Sequence, residues 1–397
     1  MSINNLIDSN LELFNSELKK ILDYWETNAL DDDNAGFIGQ INFKNERIGE
    51  ASKGLILNAR ILWSFAAVSN QLPTQEYANT CHRAYHYLAL FFKDKSDGSL
   101  YWELGYNAKP ENTIKNCVGQ AYALLALSEY YLFSKKEEVK NWAIQLFEYI
   151  EDYGFNSRSN TYVDVIPVNG VQDTSEIDGA KSLGTHLHLL EAYTTLFTIY
   201  KNDRLEKKLR ILLEILLYEF ITKEQHCETA LDREGKSLSE TVFFGYNVEV
   251  PWMLIEAAKA LNDDELLKST EDCLLQMIDV FLEEAIDING AIMYGKCTST
   301  QQLDTDLHWW TQVEALVALS YAYNFTQNER YQIAFNRIWS YVKEHFIDLE
   351  HGEWFARIAS DTTRYTDDKI GMWKSPYHST RMCLKIMEFN NKEVSIV

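Results

Sequence analysis

Proline and glycine are both scarce in this chain, with 5 Pro and 17 Gly in 397 residues. Typical usage is about 5% and about 7%. These residues break helices and punctuate turns. Their shortage therefore excludes β-sandwiches, β-barrels and Pro/Gly-rich linkers, and predicts long helices with few tight turns. Positive charge is also short, with 37 Lys and Arg against 59 Asp and Glu, a net charge of −22. So acidic a surface repels phosphate backbones, and nucleic acid is not an expected partner. No apolar run approaches about 18 residues, so neither a membrane-spanning helix nor a membrane partner is expected. Residues 1–20 mix Asn, Asp, Glu and Lys with the apolar positions and lack the pattern of a signal peptide. Cys81, Cys117, Cys227, Cys273, Cys297 and Cys383 form no CxxC pair and no metal-ligand spacing. That usage fits reduced thiols, and a cytoplasmic location is the expectation.

What is present is hydrophobic and aromatic. The hydrophobic fraction is 46% and the chain holds 23 Tyr and 10 Trp, enough for a sizeable core. Apolar residues recur at spacings of three and four, as in Leu183, Leu187, Leu190 and Tyr193. This periodicity predicts twelve helices near 5–25, 51–70, 74–92, 116–133, 136–152, 181–201, 204–222, 243–261, 264–284, 309–325, 329–347 and 373–391. Short joins at 71–73, 134–135, 201–203, 262–263 and 326–328 alternate with long loops at 31–39, 94–110, 153–178, 287–305 and 348–371. Each short join makes an antiparallel helix pair. The last helix closes against the first as a sixth pair. The expected fold is all-α, an (α/α)6 barrel of twelve helices. Short alternating runs at 99–104, 161–165, 291–294 and 353–358 are expected to form small strand pairs in the mouth loops. Although this length usually means two or three domains, closing a barrel makes residues 1–397 a single domain.

Alternate helices carry polar and aromatic residues amid apolar ones, around 58–60, 120–122, 186–191, 246–252, 309–314 and 373–381. Buried polar groups are costly unless partnered. These six segments are therefore read as inner helices lining a cavity for something polar. Trp310 and Glu314 stand four apart, a ring platform beside a carboxylate, which suits a sugar or else a packed core. Pro376 near a helix start places His378 in the first turn at the cavity mouth, where an imidazole suits proton transfer or a structural hydrogen bond. Arg60 puts a guanidinium on an inner helix, either for a structural ion pair or for a developing oxyanion. His186 and His188, two apart on a helix, point to different faces and make no metal motif. His82 and His86 fall on an outer helix and read as surface or packing residues.

Six segments together resemble the N-acylglucosamine 2-epimerase superfamily, and within it the cellobiose 2-epimerases. They are 53–65, Gln120-Ala-Tyr122-Ala, 185–194, Gly245-Tyr246-Asn-Val-Glu249-Val-Pro-Trp252, Trp309-Trp310-Thr-Gln-Val-Glu314-Ala and Trp373-Lys-Ser-Pro-Tyr-His378. The resemblance runs from about Asp33 to about Met387 and implies the (α/α)6 barrel, in agreement with the helix count. It implies a sugar 2-epimerase or aldose–ketose isomerase acting without metal or nucleotide cofactor on the reducing end of a mono- or disaccharide. Ring opening and loss of the C2 proton give a cis-enediolate. The proton then returns to the opposite face of C2 or to C1. By matching, His378 is the acid/base and Arg60 the oxyanion partner, while His188 and Glu249 bind or open the sugar. Asn58, Trp252, Trp310, Glu314 and Trp373 belong to the substrate site. A monomer or homodimer is expected, with a small sugar as partner.

The pattern departs from the family at Val118, at Gly184 and above all at Tyr246, where the family's second acid/base histidine stands. A phenol with a reference pKa near 10 is a poor base at neutral pH. Three readings of the chemistry follow. Tyr246 acts as a tuned acid, Glu249 serves as the second base, or His378 alone runs an isomerisation on one face. Beyond these stand an inactive sugar-binding barrel and a glycoside hydrolase using Glu249 and Glu314.

Overall fold

The computed structural model describes residues 3–72, 75–167 and 180–394. Pro73 of the first join and residues 168–178 of the loop expected over 153–178 lie outside them. Twelve α-helices follow in the expected order: α1 (Ile3–Asn28), α2 (Leu55–Gln71), α3 (Ala78–Tyr87), α4 (Cys117–Ser134), α5 (Glu137–Tyr149), α6 (Leu183–Ile199), α7 (Asp203–Ile215), α8 (Phe244–Leu261), α9 (Asp264–Glu284), α10 (Trp309–Thr326), α11 (Glu329–Tyr341) and α12 (Tyr377–Val394). A five-residue π turn extends each of α3, α5, α7 and α11.

Each even-numbered helix packs against the next, and α12 returns to α2, so six inner helices close a ring. The odd-numbered helices lie outside, each against its pair partner, with α1 on α12. The sequence explains the sorting. Every residue of α2 from Leu55 to Val68 is buried, as an inner helix requires. By contrast, α7 buries Leu205, Leu209, Leu212, Leu213 and Ile215 on one stripe and turns Glu206 and Lys207 to solvent. The (α/α)6 barrel read from the helix count is the fold observed.

The scarcity of glycine does not mean few tight turns. Eleven non-glycine residues take positive φ among the described residues. Three of them, Lys135, Asn262 and Gln327, form the left-handed stops of α4, α8 and α10. Two of the next helices start at once on a side-chain cap. The carboxylate of Asp263 accepts from the backbone N–H of Leu266, and Asn328 accepts from Arg330.

A belt of two- and three-residue strands rings the mouth. The strand before α2 (53–54) pairs antiparallel with 103–104 before α4, and 115–116 pairs with 165–166 before α6. Likewise 181–182 pairs with 230–231, 241–243 with 295–297, and 307–308 with 357–358. A single bridge from Ile370 to Ile41 closes the circle. Three of the runs expected as strands fall within this belt. The fourth, 291–294, gives only a bridge at Ile292, and the strand itself starts at Gly295.

The fourth residue of each of four inner helices, α4, α6, α8 and α10, fixes a loop to this frame. Gln120 accepts from the backbone N–H of Leu100 (2.9 Å) and donates to its carbonyl (2.8 Å). Gln312 does the same with Ile292, at 2.8 and 2.7 Å. Asn247 accepts from the Cys227 N–H (2.8 Å), and His186 Nε2 accepts from that of Tyr162 (3.3 Å). Asn58, the equivalent residue of α2, donates to its own helix start at Gly54 (2.8 Å).

Candidate functional site

Two positions beyond those anchors, the sixth residues of the inner helices are Arg60, Tyr122, His188, Glu249 and Glu314. Residues two apart on a helix point to nearly opposite sides. If the fourth position reaches a loop, the sixth faces the barrel axis. There these side chains meet one another in a nearly closed circuit.

The circuit starts at Arg60. Its guanidinium donates to the Trp373 carbonyl at 3.0 Å and to the Tyr122 hydroxyl, and lies 4.4 Å from the Tyr122 ring centre. The Tyr122 hydroxyl donates to His188 Nε2 (2.9 Å), which leaves Nδ1–H to face Glu191 at 3.5 Å. Glu191 accepts from Arg381 Nη1 (2.7 Å) and from the Tyr377 hydroxyl. Arg381 Nη2 then donates to Glu249 at 2.6 Å and to Glu314 at 2.7 Å. Glu314 ends the circuit on His378 Nδ1, 2.7 Å away. Both Glu314 oxygens already face donors, with Trp252 Nε1 on the second at 3.1 Å. Nδ1 of His378 therefore carries the hydrogen and Nε2 is bare.

A cavity of about 300 Å³ opens onto part of this circuit. Arg60, His188, Glu249 and His378 line it, each buried and each from a different inner helix. Tyr246, Tyr294, His308, Trp309, Trp310 and Trp373 complete the wall. Trp310 sits flush against α8 because residue 245 is glycine. A Cβ there would meet its ring at 2.3 Å. Trp373 is 53% exposed at the rim.

The structure thus brings together Arg60, His188, Tyr246, Glu249, Trp310, Trp373 and His378 from the expected set, and leaves three others off the wall. Glu314 is fully buried beneath His378, with no oxygen free for a sugar hydroxyl. Trp252 is held to Glu314 and lines a separate cavity of about 500 Å³, which Arg381 and Glu191 also line. Asn58 stands at the fourth position of α2, bonded to its own helix start. His82, on outer helix α3, bonds the Tyr130 hydroxyl at 2.7 Å, and His86 is exposed. Sequence reasoning passed over His308, in the mouth strand 307–308, and Tyr294, just before the strand 295–297, neither on an inner helix. Tyr122 carried a usable signal, since it occupies the same helical position as Arg60 and Glu249.

Electrostatics separate the titratable groups. Burial and the nearby Glu314 charge raise Glu249 to about 7, against the pull of Arg381. Glu191 is equally buried, but Arg381 and the bonds from His188 and Tyr377 hold it down at about 2. Burial, together with the charges of Arg60 and Arg381, keeps His378 well below an ordinary histidine, hence neutral. Burial and the Glu249 charge push the Tyr246 phenol far up, so it retains its proton.

Glu249, Glu314 and His378 bring three ligand-type atoms within 4.8 Å of one another. Their arrangement does not suit a cation. The Arg381 guanidinium already bridges the two carboxylates, and His378 donates to one of them. Among the described residues no helix is long and apolar enough to cross a membrane.

Comparison with known proteins places the chain in a family and agrees with its fold. A family model described as N-acylglucosamine 2-epimerase (GlcNAc 2-epimerase) matches residues 36–381. A cellobiose 2-epimerase of Bacteroides fragilis is 33% identical over 389 residues, 95% of this chain and 99% of that protein. One from Dictyoglomus turgidum is 31% identical, covering 95% and 97%. The solved structure of cellobiose 2-epimerase from Bacillus thermoamylovorans superposes with a TM-score of 0.90 at 28% identity, over 96% of this chain and 99% of that one.

Proposed function

The chain belongs to the N-acylglucosamine 2-epimerase family, and from that premise we propose how its cavity handles a sugar. It is a carbohydrate epimerase/isomerase. Residues 1–397 act as one catalytic domain on the reducing end of a mono- or disaccharide. One observation carries the assignment of roles: a base, two polar groups and a guanidinium, from four different inner helices, face one cavity.

Enediolate chemistry needs a base at C2, a source of protons, and positive charge beside the oxygen that becomes anionic. His378 offers bare Nε2 as the base, with Glu314 fixing its tautomer. Arg60 faces the developing O1 anion. Its place is set by Tyr122 and the Trp373 carbonyl rather than by a carboxylate, so its charge is not already neutralised. Glu249, titrating near neutrality, exchanges a proton with the ring oxygen as the hemiacetal opens. His188 orients a hydroxyl. Trp310 and Trp373 present ring faces to the sugar. The hydrolase alternative loses its carboxylate pair, because Glu314 cannot reach a glycosidic bond from beneath His378.

The test is incubation with mannose, glucose, cellobiose and N-acetylglucosamine in D₂O, followed by NMR at C2. Epimer or ketose formation with solvent deuterium incorporated supports the reading. Binding without conversion of any sugar would favour the inactive barrel, and new reducing ends from cellobiose would favour hydrolysis.

A further inference from the structure

We propose that His308 is a further catalytic residue of this site, relaying a proton between O1 and O2 of the open sugar, and that the reaction it serves is aldose–ketose isomerisation. The inference rests on the epimerase/isomerase reading above and names which of the two reactions runs. Three features of His308 carry it. Its imidazole lines the same cavity as His378 and Arg60. It is stacked face to face on Tyr294, with ring centres 3.8 Å apart at an angle of 16°, so its orientation is fixed. Among the described residues, nothing hydrogen-bonds to either of its ring nitrogens.

His308 also stands at the N-terminus of α10, an 18-residue helix whose positive end disfavours a charged ring. Burial and neighbouring Arg357 push it down to about 4, although Asp304, Asp306 and Asp367 pull the other way. The ring is therefore neutral at pH 7. A neutral imidazole at a helix N-terminus polarises a carbonyl oxygen and passes a proton without leaving a charge behind. Tyr246 supplies the complementary half. Inverting C2 needs a base on each face, and the phenol on the α8 wall holds its proton too tightly to be one.

Each proton is accounted for. His378 Nε2 takes the C2 proton, the C–H electron pair becomes the C1=C2 bond, and the carbonyl pair moves onto O1 beside Arg60. His308 gives its N–H proton to O1 and takes the O2 proton. The pair left on O2 forms the C2 carbonyl, and the C1=C2 pair takes the proton from His378 at C1. Both imidazoles return to their starting states, and an aldose has become a ketose.

The experiment compares the unmodified enzyme with His308→Phe, which keeps the stack on Tyr294, in D₂O with mannose, glucose and cellobiose. The unmodified enzyme should form ketose without inverting C2. His308→Phe should lose ketose formation by about 10²–10³-fold. It should still wash deuterium into C2 of the recovered aldose, because His378 remains. The ratio of exchange to conversion therefore rises, which a merely structural role would not produce. Should His308→Phe fail to fold, His308→Gln is read by the same ratio. The inference is overturned if the unmodified enzyme makes the C2 epimer and no ketose, if the variant converts at the normal rate, or if exchange and conversion fall together. No conversion by the unmodified enzyme would instead overturn the broader reading.

Discussion

His378 Nδ1 lies 2.7 Å from an oxygen of Glu314 that is itself sealed from solvent, so the bare face of the imidazole is set from below. Glu314 acts through His378 and is a positioning residue. Glu314→Gln keeps the size but loses the charge and one acceptor. It should lower kcat by about 10²-fold with little change in KM, since a small displacement of the base is enough. Steady-state kinetics give the split, and a rise in KM alone would contradict the role.

Tyr122 joins Arg60 to His188 through one buried hydroxyl. Tyr122→Phe leaves a guanidinium N–H and an imidazole nitrogen without a partner. It should cost about 1–3 kcal/mol of stability in chemical denaturation, alongside a loss of turnover. An unchanged unfolding midpoint would show that water fills the gap.

Glu249 makes the fold sensitive to pH in a definite direction. Its carboxyl is raised to about 7 in the folded state from an ordinary value of 4.5. Between those values the folded chain holds a proton that the unfolded chain has released. Its contribution to stability is therefore full below about 4.5 and is lost as pH rises through about 7. Unfolding free energies across pH 4–8 should fall more steeply for the unmodified protein than for Glu249→Gln. Parallel curves would place the titration elsewhere.

Lys135 ends α4 with φ 55°, a conformation that costs a side chain about 1 kcal/mol. Lys135→Gly should raise the melting temperature, offset in part by glycine's freedom in the unfolded chain. Calorimetry measures the sum, and a lower melting temperature would mean that the Lys135 side chain stabilises the join.

Much of the architecture was legible because it rests on periodicity. Three-and-four spacing located all twelve helices, and the polar load of alternate segments separated inner from outer. What the sequence concealed was direction at the level of single residues. Asn58 and Arg60 looked like two members of one site. Yet positions two apart face opposite ways, the same geometry that already set His186 apart from His188. Applied to 58/60, 120/122, 247/249 and 312/314, it separates the fourth-position residues from those that turn toward the barrel axis. Glu314 shows a different limit. Its helical face was right, but its depth beneath His378 depends on α12, which lies far away in sequence. His308 and Tyr294 were invisible for a third reason: the strand belt, not a helix, carries them to the cavity.

The order in which the ring closes bears on how the protein is made. His378 and Arg381 lie on α12, the sixth inner helix of the ring in chain order. Until α12 has left the ribosome, the other five inner helices can meet only without it. At that stage Glu191, Glu249 and Glu314 share a barrel lacking the guanidinium that bridges them. There Glu249, raised even against the pull of Arg381, keeps its proton, while Glu191 and Glu314 lack their partner guanidinium. Emergence of α12 then brings the counter-charge and the proton-transfer group in one stroke, so catalytic competence and closure of the barrel arrive together.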